Sequence, residues 1–510
     1  MQQDEKIARD QASFLSVDEL LRRAIQSQQD WTEREALALL HAAPAEALQD
    51  PRVHQMMGLL HRSLDENEAA LGHLGKAAML APADARIAHG LAQVTLDAGL
   101  DARDAFSRAA ALAPPRDRQL QLSHVGALLA AGSANAAETM LEAELHQEPG
   151  WAEGHAALVR LRWQAGEGDA SWRTLRAAID HRPADTGLWR ELILGLFHAK
   201  KYTAALAAAR TGKAACPPDL FFLSIEAACL DELEQYDAAY AAFLNIGRAA
   251  DAGVALHFTR HLLHAGRPDD AAAVAQAWTG QPGAQHFWPY IATAWRMTGD
   301  ARSQWLEGDE RLIGVHDIGA RIGALDKLAT FLRTLHSATS HQPLEQSVRT
   351  GTQTSGRLFA RIEPEIRALR AAVVEAVKAH VAQLPPVDPN HPTLGIRPPD
   401  IRFSGSWSVR LTGEGHHSAH IHTQGWFSSA FYVAVPGDMD ATDPHAGWLT
   451  LGDQPEFRDC PPAFRTIRPR PGQLVLFPSI MWHGTRPIHE GERMTVAFDI
   501  SPGPMSRVRT

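Results

Sequence analysis

Apolar and small side chains recur at helical spacing through residues 1 to about 300, in pairs of segments joined by short polar turns. The stretch AHGLAQVTLDAGLDARDAFSRAAALAP, from Ala88 to Pro114, is one such pair and predicts two amphipathic helices. A proline closes the second helix of each pair, because it lacks the N–H that the helical ladder needs. These closing prolines are Pro82, Pro114, Pro149, Pro183 and Pro217, at steps of 32, 35, 34 and 34 residues, with Pro44 a weaker predecessor. Gly58, Ala77, Gly90 and Ala110 fall where paired helices must approach closely. After Gly283 the repeat fades. Helical character persists over residues 301–385 in RIGALDKLATFLRTLHSA and IEPEIRALRAAVVEAVKAHVAQL, interrupted by HQPLEQSVRTGTQTSGRLF (341–359), which has no helical period and predicts a polar loop. The proline-rich stretch 384–400 stops any helix. From Ile401 the pattern becomes that of short strands, expected near 401–411, 418–423, 427–435, 447–452, 464–468, 473–477, 480–486 and 493–500.

A helix–turn–helix period near 34 residues resembles the tetratricopeptide repeat. Such units stack into a superhelix with a concave face, because none buries its apolar side alone. That face suits a peptide or protein, and the array equally suits dimerisation or spacing. The expected fold is multidomain. An all-α tetratricopeptide-like superhelix (1–300) leads through a helical bridging segment with its polar loop (301–385) to a double-stranded β-helix, or jelly-roll, domain (386–510).

Composition narrows the partners. A net charge of −10 without a dense Lys/Arg block leaves no basic footprint for nucleic acid. Three cysteines, Cys216, Cys229 and Cys460, are too few and too scattered for a disulfide framework. The N-terminus lacks a signal-peptide core, and no apolar run reaches the ~18–20 residues of a membrane span. A cytoplasmic protein with no membrane partner is expected.

The candidate chemistry lies in GHHSAHIHTQGWFSSAFYVAVP (415–436) and PSIMWHGTRPIHEGERMTVAFDI (478–500). Positions i and i+2 of a strand share a face, so His420 and His422 can aim two imidazoles into one pocket. A third, His483, arriving from a distant strand would complete one face of a metal and leave the other open, as oxygen chemistry at non-haem iron requires. Arg493 leads an apolar strand, and Thr495 lies two residues on.

These stretches, with EQSVRTGTQT (345–354) and SGSWSVRL (404–411), resemble the iron(II)- and 2-oxoglutarate-dependent oxygenases, and more closely a bacterial group in which tetratricopeptide repeats precede such a domain. The resemblance runs from His341 onward. It implies iron(II) on His420, His422 and His483, with His417 as an alternate ligand. It also implies 2-oxoglutarate as cosubstrate, its far carboxylate held by Arg493 with Thr495, and with Tyr432 and Arg410 as further candidates. Gln346, Arg349, Thr352, Gln353 and Trp426 are candidate substrate contacts. One departure stands out: His422 occupies the place where most of these enzymes carry an aspartate. Glu414 and Asp438 fall in expected turns and are not favoured as substitutes, and His416, His445 and His489 read as surface residues.

The function so implied is an oxygenase that hydroxylates a peptide or protein side chain presented by the repeats. Two alternatives stay open: a three-histidine metal enzyme that does not use 2-oxoglutarate, and a non-catalytic repeat scaffold with a degenerate barrel. A homodimer through the repeats is a further expectation.

Overall fold

The computed structural model describes residues 15–247, 251–336, 347–437 and 443–503. Helices α1 (Val17–Asp30), α2 (Glu33–His41), α3 (Pro51–Ser63) and α4 (Asn67–Leu80) open the array. Antiparallel pairs then continue from Ala85–Asp97 with Arg103–Leu112 to Ala252–His264 with Pro268–Gln276. Each closing proline sits just past a second helix, as its chemistry demands. A second periodic signal accompanies it. The first helices of six pairs start from an aspartate, namely Asp50, Asp84, Asp117, Asp185, Asp219 and Asp251, whose carboxylate accepts from backbone N–H groups of the first turn. Such caps contribute about 1 kcal/mol each. Close packing explains Gly58 and the buried Ala77, a Cβ added at Gly58 of α3 lying 2.6 Å from Leu74 Cγ of α4, whereas Ala110 is exposed.

The C-terminal half is one antiparallel sheet curled on itself. Its strands are β1 (Gly314–Asp317), β2 (Val348–Gln353), β3 (Phe403–His420), β4 (Phe427–Ala434), β5 (Leu449–Leu451), β6 (Arg465–Ile467), β7 (Gln473–Pro478), β8 (His483–Thr485) and β9 (Glu492–Ile500). They run in the order β1-β7-β4-β9-β3-β8-β5-β6, with β2 on the side of β3. Alternation along β4 and β9 sorts the side chains. Phe427, Phe431, Val433, Met494, Val496, Phe498 and Ile500 pack against the long helix Pro364–Val381 through Ile366, Leu369, Val373 and Val377. Ala430 and Tyr432 face inward with Leu449, Leu451, Val475 and Phe477.

Three features differ from the sequence reading. The first barrel strand continues unbroken to His420, because Gly415 lets it pass against β2; a Cβ there would meet the Thr350 carbonyl oxygen at 2.4 Å. Within the expected polar loop, Val348–Gln353 is a strand paired to β3. Gly314–Asp317, expected as helix, pairs with β7. Both missed strands are short and polar, and the ladder of the neighbouring strand decides their conformation.

The helical array grips the sheet at both ends. Near its start, Arg402 holds the buried Glu33 of α2 through two 2.6 Å contacts, and Asn67 Nδ2 donates to the Ala360 carbonyl at 2.6 Å. Near its end, Arg260 pairs with Glu456 at 2.9 Å, Arg296 donates to the Pro462 carbonyl at 2.6 Å, and the Tyr290 and Trp482 rings meet edge-on at 5.6 Å.

Candidate metal centre

His420 and His483 are cross-strand partners of β3 and β8, so the sheet register sets their rings side by side, with centroids 4.2 Å apart. His422 lies beyond the end of β3, in a turn fixed by its own N–H donating to the Ser479 carbonyl at 3.0 Å. Strand alternation therefore does not place it. The turn does, and still brings its ring to 5.0 Å from His420 and 5.1 Å from His483. One nitrogen of each of the three lies within 4.8 Å of the others.

The other ring nitrogen of each is already engaged. Nδ1 of His420 donates to the Ser418 carbonyl at 2.8 Å and Nδ1 of His483 to the Met481 carbonyl at 3.0 Å, since a carbonyl can only accept. Nδ1 of His422 lies 2.8 Å from both carboxylate oxygens of Asp499. Proton-bearing Nδ1 atoms leave three Nε2 lone pairs for one centre, the tautomer that metal-binding histidines need. Electrostatics agree. Burial, then the neighbouring His422, pushes His420 down to about 3, and burial with His420 beside it holds His483 well below the ordinary range. Both are neutral ligands at pH 7. His417, the alternate, lines the same cavity with its ring 5.7 Å from His420, but its Nδ1 is engaged with Ser347 Oγ at 3.1 Å and it is not one of the converging three.

Beside the three histidines the cavity is lined by Trp407, Val409, Ala430, Phe477, Arg493, Thr495 and Ala497, among others. Arg493 is 2 % exposed, and burial pulls its guanidinium below its ordinary value while Tyr432 acts in the opposite sense. It sits 5.1 Å from the Tyr432 ring centroid. Its Nε and the Tyr432 hydroxyl are both buried without a hydrogen-bond partner. Arg493 beside Thr495, in a cavity whose described lining has no carboxylate, fits an incoming carboxylate, with Tyr432 behind the guanidinium and outside the lining.

Other candidates lie elsewhere. Arg410 falls on the opposite face of β3 from Trp407 and Val409 and pairs with Glu492 at 2.6 Å, so it does not reach the cavity. Trp426 is a core residue that donates to the Thr393 carbonyl at 2.8 Å. Thr352 bonds His336 at 2.8 Å, and neither it, Arg349 nor Gln353 lines the cavity. Gln346 and Asp438 lie outside the described residues. Asp499 was not anticipated. It shares the strand face of Arg493, Thr495 and Ala497, and following β9 by twos from Arg493 would have found it.

Residues 405–499 match the family model described as "Putative 2OG-Fe(II) oxygenase". The similarity to 2OG-Fe(II) oxygenases thus runs from within β3 to within β9. Solved structures similar to parts of it include three bacterial proteins. One is an oxidoreductase of the 2OG-Fe(II) oxygenase family from Burkholderia pseudomallei (11% identity, 40% of this chain and 91% of that one, TM-score 0.25). Another is a Pseudomonas putida prolyl-4-hydroxylase (14%, 40% and 98%, TM-score 0.26). The third is a tetratricopeptide repeat protein from Parabacteroides merdae (16%, 48% and 98%, TM-score 0.30). No curated protein matches the chain. No described helix is long and apolar enough to cross a membrane.

Proposed function

We propose that the barrel is an iron(II)- and 2-oxoglutarate-dependent oxygenase acting on a peptide or protein side chain brought to it by the repeat array. The observation that carries the reading is the convergence of one ring nitrogen from each of three histidines in the cavity that the buried Arg493 also lines. His420, His422 and His483 would hold the metal, and Arg493 and Thr495 the far carboxylate of the cosubstrate. When bound, iron(II) with 2-oxoglutarate supplies oxidative decarboxylation to succinate and carbon dioxide, coupled to transfer of one oxygen atom of dioxygen to a C–H bond.

The protein's part is orientation and charge. Asp499 returns to the site the negative charge that a ligating aspartate would have supplied, delivered through His422 instead of at the metal. Phe477 and Trp407 line the cavity with aromatic surface. Contacts at both ends tie the array to the barrel, and the concave face expected of stacked repeats would favour an extended substrate over a small metabolite.

Incubating the iron-loaded full chain with 2-oxoglutarate, oxygen and a peptide library tests this. Peptides gaining one oxygen atom, with matching succinate and none in the Arg493→Ala variant, are expected. Succinate formed without any modified peptide would remove the substrate reading and leave the oxygenase standing.

A further inference from the structure

Far from the barrel, the first repeat gathers four histidines. His41 ends α2, His54 and His61 lie seven residues apart on one face of α3, and His73 faces them from α4. Ring centroids are 6.2 Å apart for His41 and His61, 5.6 Å for His41 and His73, and 5.4 Å for His61 and His73. One nitrogen from each of His41, His61 and His73 lies within 4.8 Å of the others. We propose that these three residues form a second metal site, taking a zinc(II)-class divalent ion with water as its fourth ligand.

The surroundings are those of a built site. Nδ1 of His61 donates to Glu66 at 2.8 Å, and Arg34 holds the same carboxylate at 3.0 Å. The carboxylate behind the ring orients it and makes its Nε2 a better donor to a metal. Behind His73 stands His54, with the two Nδ1 atoms 3.1 Å apart. A backbone hydrogen bond at Leu48 occupies His54 as well. A proton on His73 Nδ1, donated to His54, frees Nε2 of His73 for the ion. Two of the three ligands sit in the last turns of α2 and α3, where the helix dipoles favour a cation. Lys76 is the nearby cation, and it is exposed to solvent.

Burial, then His61 and the other neighbouring rings, pushes His73 down to about 4; burial with His61 and His54 lowers His41, and burial with Lys76 lowers His54. Imidazole donors suit zinc, nickel and copper, and zinc accepts three of them with a water in tetrahedral array. At zinc–nitrogen distances of about 2.0 Å the ligating atoms would stand about 3.3 Å apart. Side-chain rotation supplies the difference, and exposed His41 is the freest to turn. The ion would tie α2 to α3 and α4, and α2 carries the Glu33 that Arg402 of the barrel grips.

The test uses the tag-free full chain, stripped of metal and titrated with cobalt(II), in the wild type and in a His483→Ala background that disables the barrel site. One tightly bound cobalt per chain in that background is expected, with the visible ligand-field bands of a tetrahedral ion and displacement by zinc. Adding His41→Ala or His73→Ala should weaken binding about tenfold or more while leaving the helical circular dichroism unchanged. The single His41→Ala variant, changed at an exposed position, should lose one metal equivalent yet keep its response to 2-oxoglutarate. Absence of stoichiometric cobalt in the His483→Ala protein, or binding that survives both added substitutions, would overturn the proposal.

Discussion

Asp499 places both carboxylate oxygens 2.8 Å from Nδ1 of His422, and one of them also accepts from Ser428 Oγ at 2.6 Å. The position that carries an aspartate in most of the resembling enzymes is a histidine here, but the carboxylate is retained one bond network further out. A carboxylate behind a ligating imidazole tunes its basicity and fixes its ring, and losing such a partner typically costs 10–100-fold in metal affinity. Asp499→Asn, which keeps the shape and loses the charge, should therefore weaken iron(II) binding by about 10–100-fold in competition with a chelator. Unchanged affinity would mean that Asp499 serves the fold alone.

Arg493 is the residue on which cosubstrate binding should depend. Truncating one partner of a buried, hydrogen-bonded charge pair costs about 2–5 kcal/mol, so Arg493→Ala should raise the 2-oxoglutarate Kd by more than tenfold while iron loading persists. Lysine should restore little, since it lacks the planar fork. Isothermal titration of the anaerobic, metal-loaded variants reads this directly.

Arg410 supplies the opposite expectation. Its pair with Glu492, which Arg333 also engages, is partly exposed and screened by solvent, so Arg410→Ala should cost at most about 1 kcal/mol of stability. The 2-oxoglutarate affinity should not move. A large loss of affinity would place Arg410 in the site despite its orientation.

Metal-free protein should be acid-sensitive. Above the ordinary histidine value of 6.5, His420 and His483 are neutral in both folded and unfolded chains. As pH falls below it, the unfolded chain binds protons that the folded barrel refuses until about 3 at His420, so stability drops across that window. The slope is about 1.4 kcal/mol per pH unit for each such imidazole. Urea midpoints should fall from pH 7 to pH 5, and His420→Asn should flatten the dependence.

The helical array bears on the metal through its last pairs. Trp482 precedes His483, donates from Nε1 to the Pro289 carbonyl at 3.3 Å and stacks edge-on against Tyr290, while His286 bonds Thr423 beside His422 at 2.8 Å. Trp482→Ala should cost about 3–5 kcal/mol in stability. It should also weaken iron binding beyond what that loss explains, measured by chelator competition on the folded fraction.

Legibility followed the range of the forces involved. Proline spacing marked the repeats because a missing N–H acts locally, and β4, β7 and β9 were visible through their apolar, β-branched runs. β1 and β2 were not, since GVHD and VRTGTQ become strands only beside β7 and β3. His420 and His483 come together across β3 and β8, and His422 joins them for a reason other than the one expected, because a turn and not strand alternation places it. Asp499 was readable from parity with Arg493. Arg410 was misplaced although the same parity, counted from Val409, would have turned it away. Trp426 depended on the Thr393 carbonyl, a tertiary contact no local pattern reveals.

The most direct measurement is anaerobic. Iron(II) is added to the metal-free full chain, then 2-oxoglutarate, while the weak visible charge-transfer band of an iron–keto-acid chelate is followed. The band should form in the wild type, be absent in His483→Ala, and require far more 2-oxoglutarate in Arg493→Ala. Iron uptake with no band at saturating 2-oxoglutarate, or no uptake at all, would contradict the oxygenase assignment.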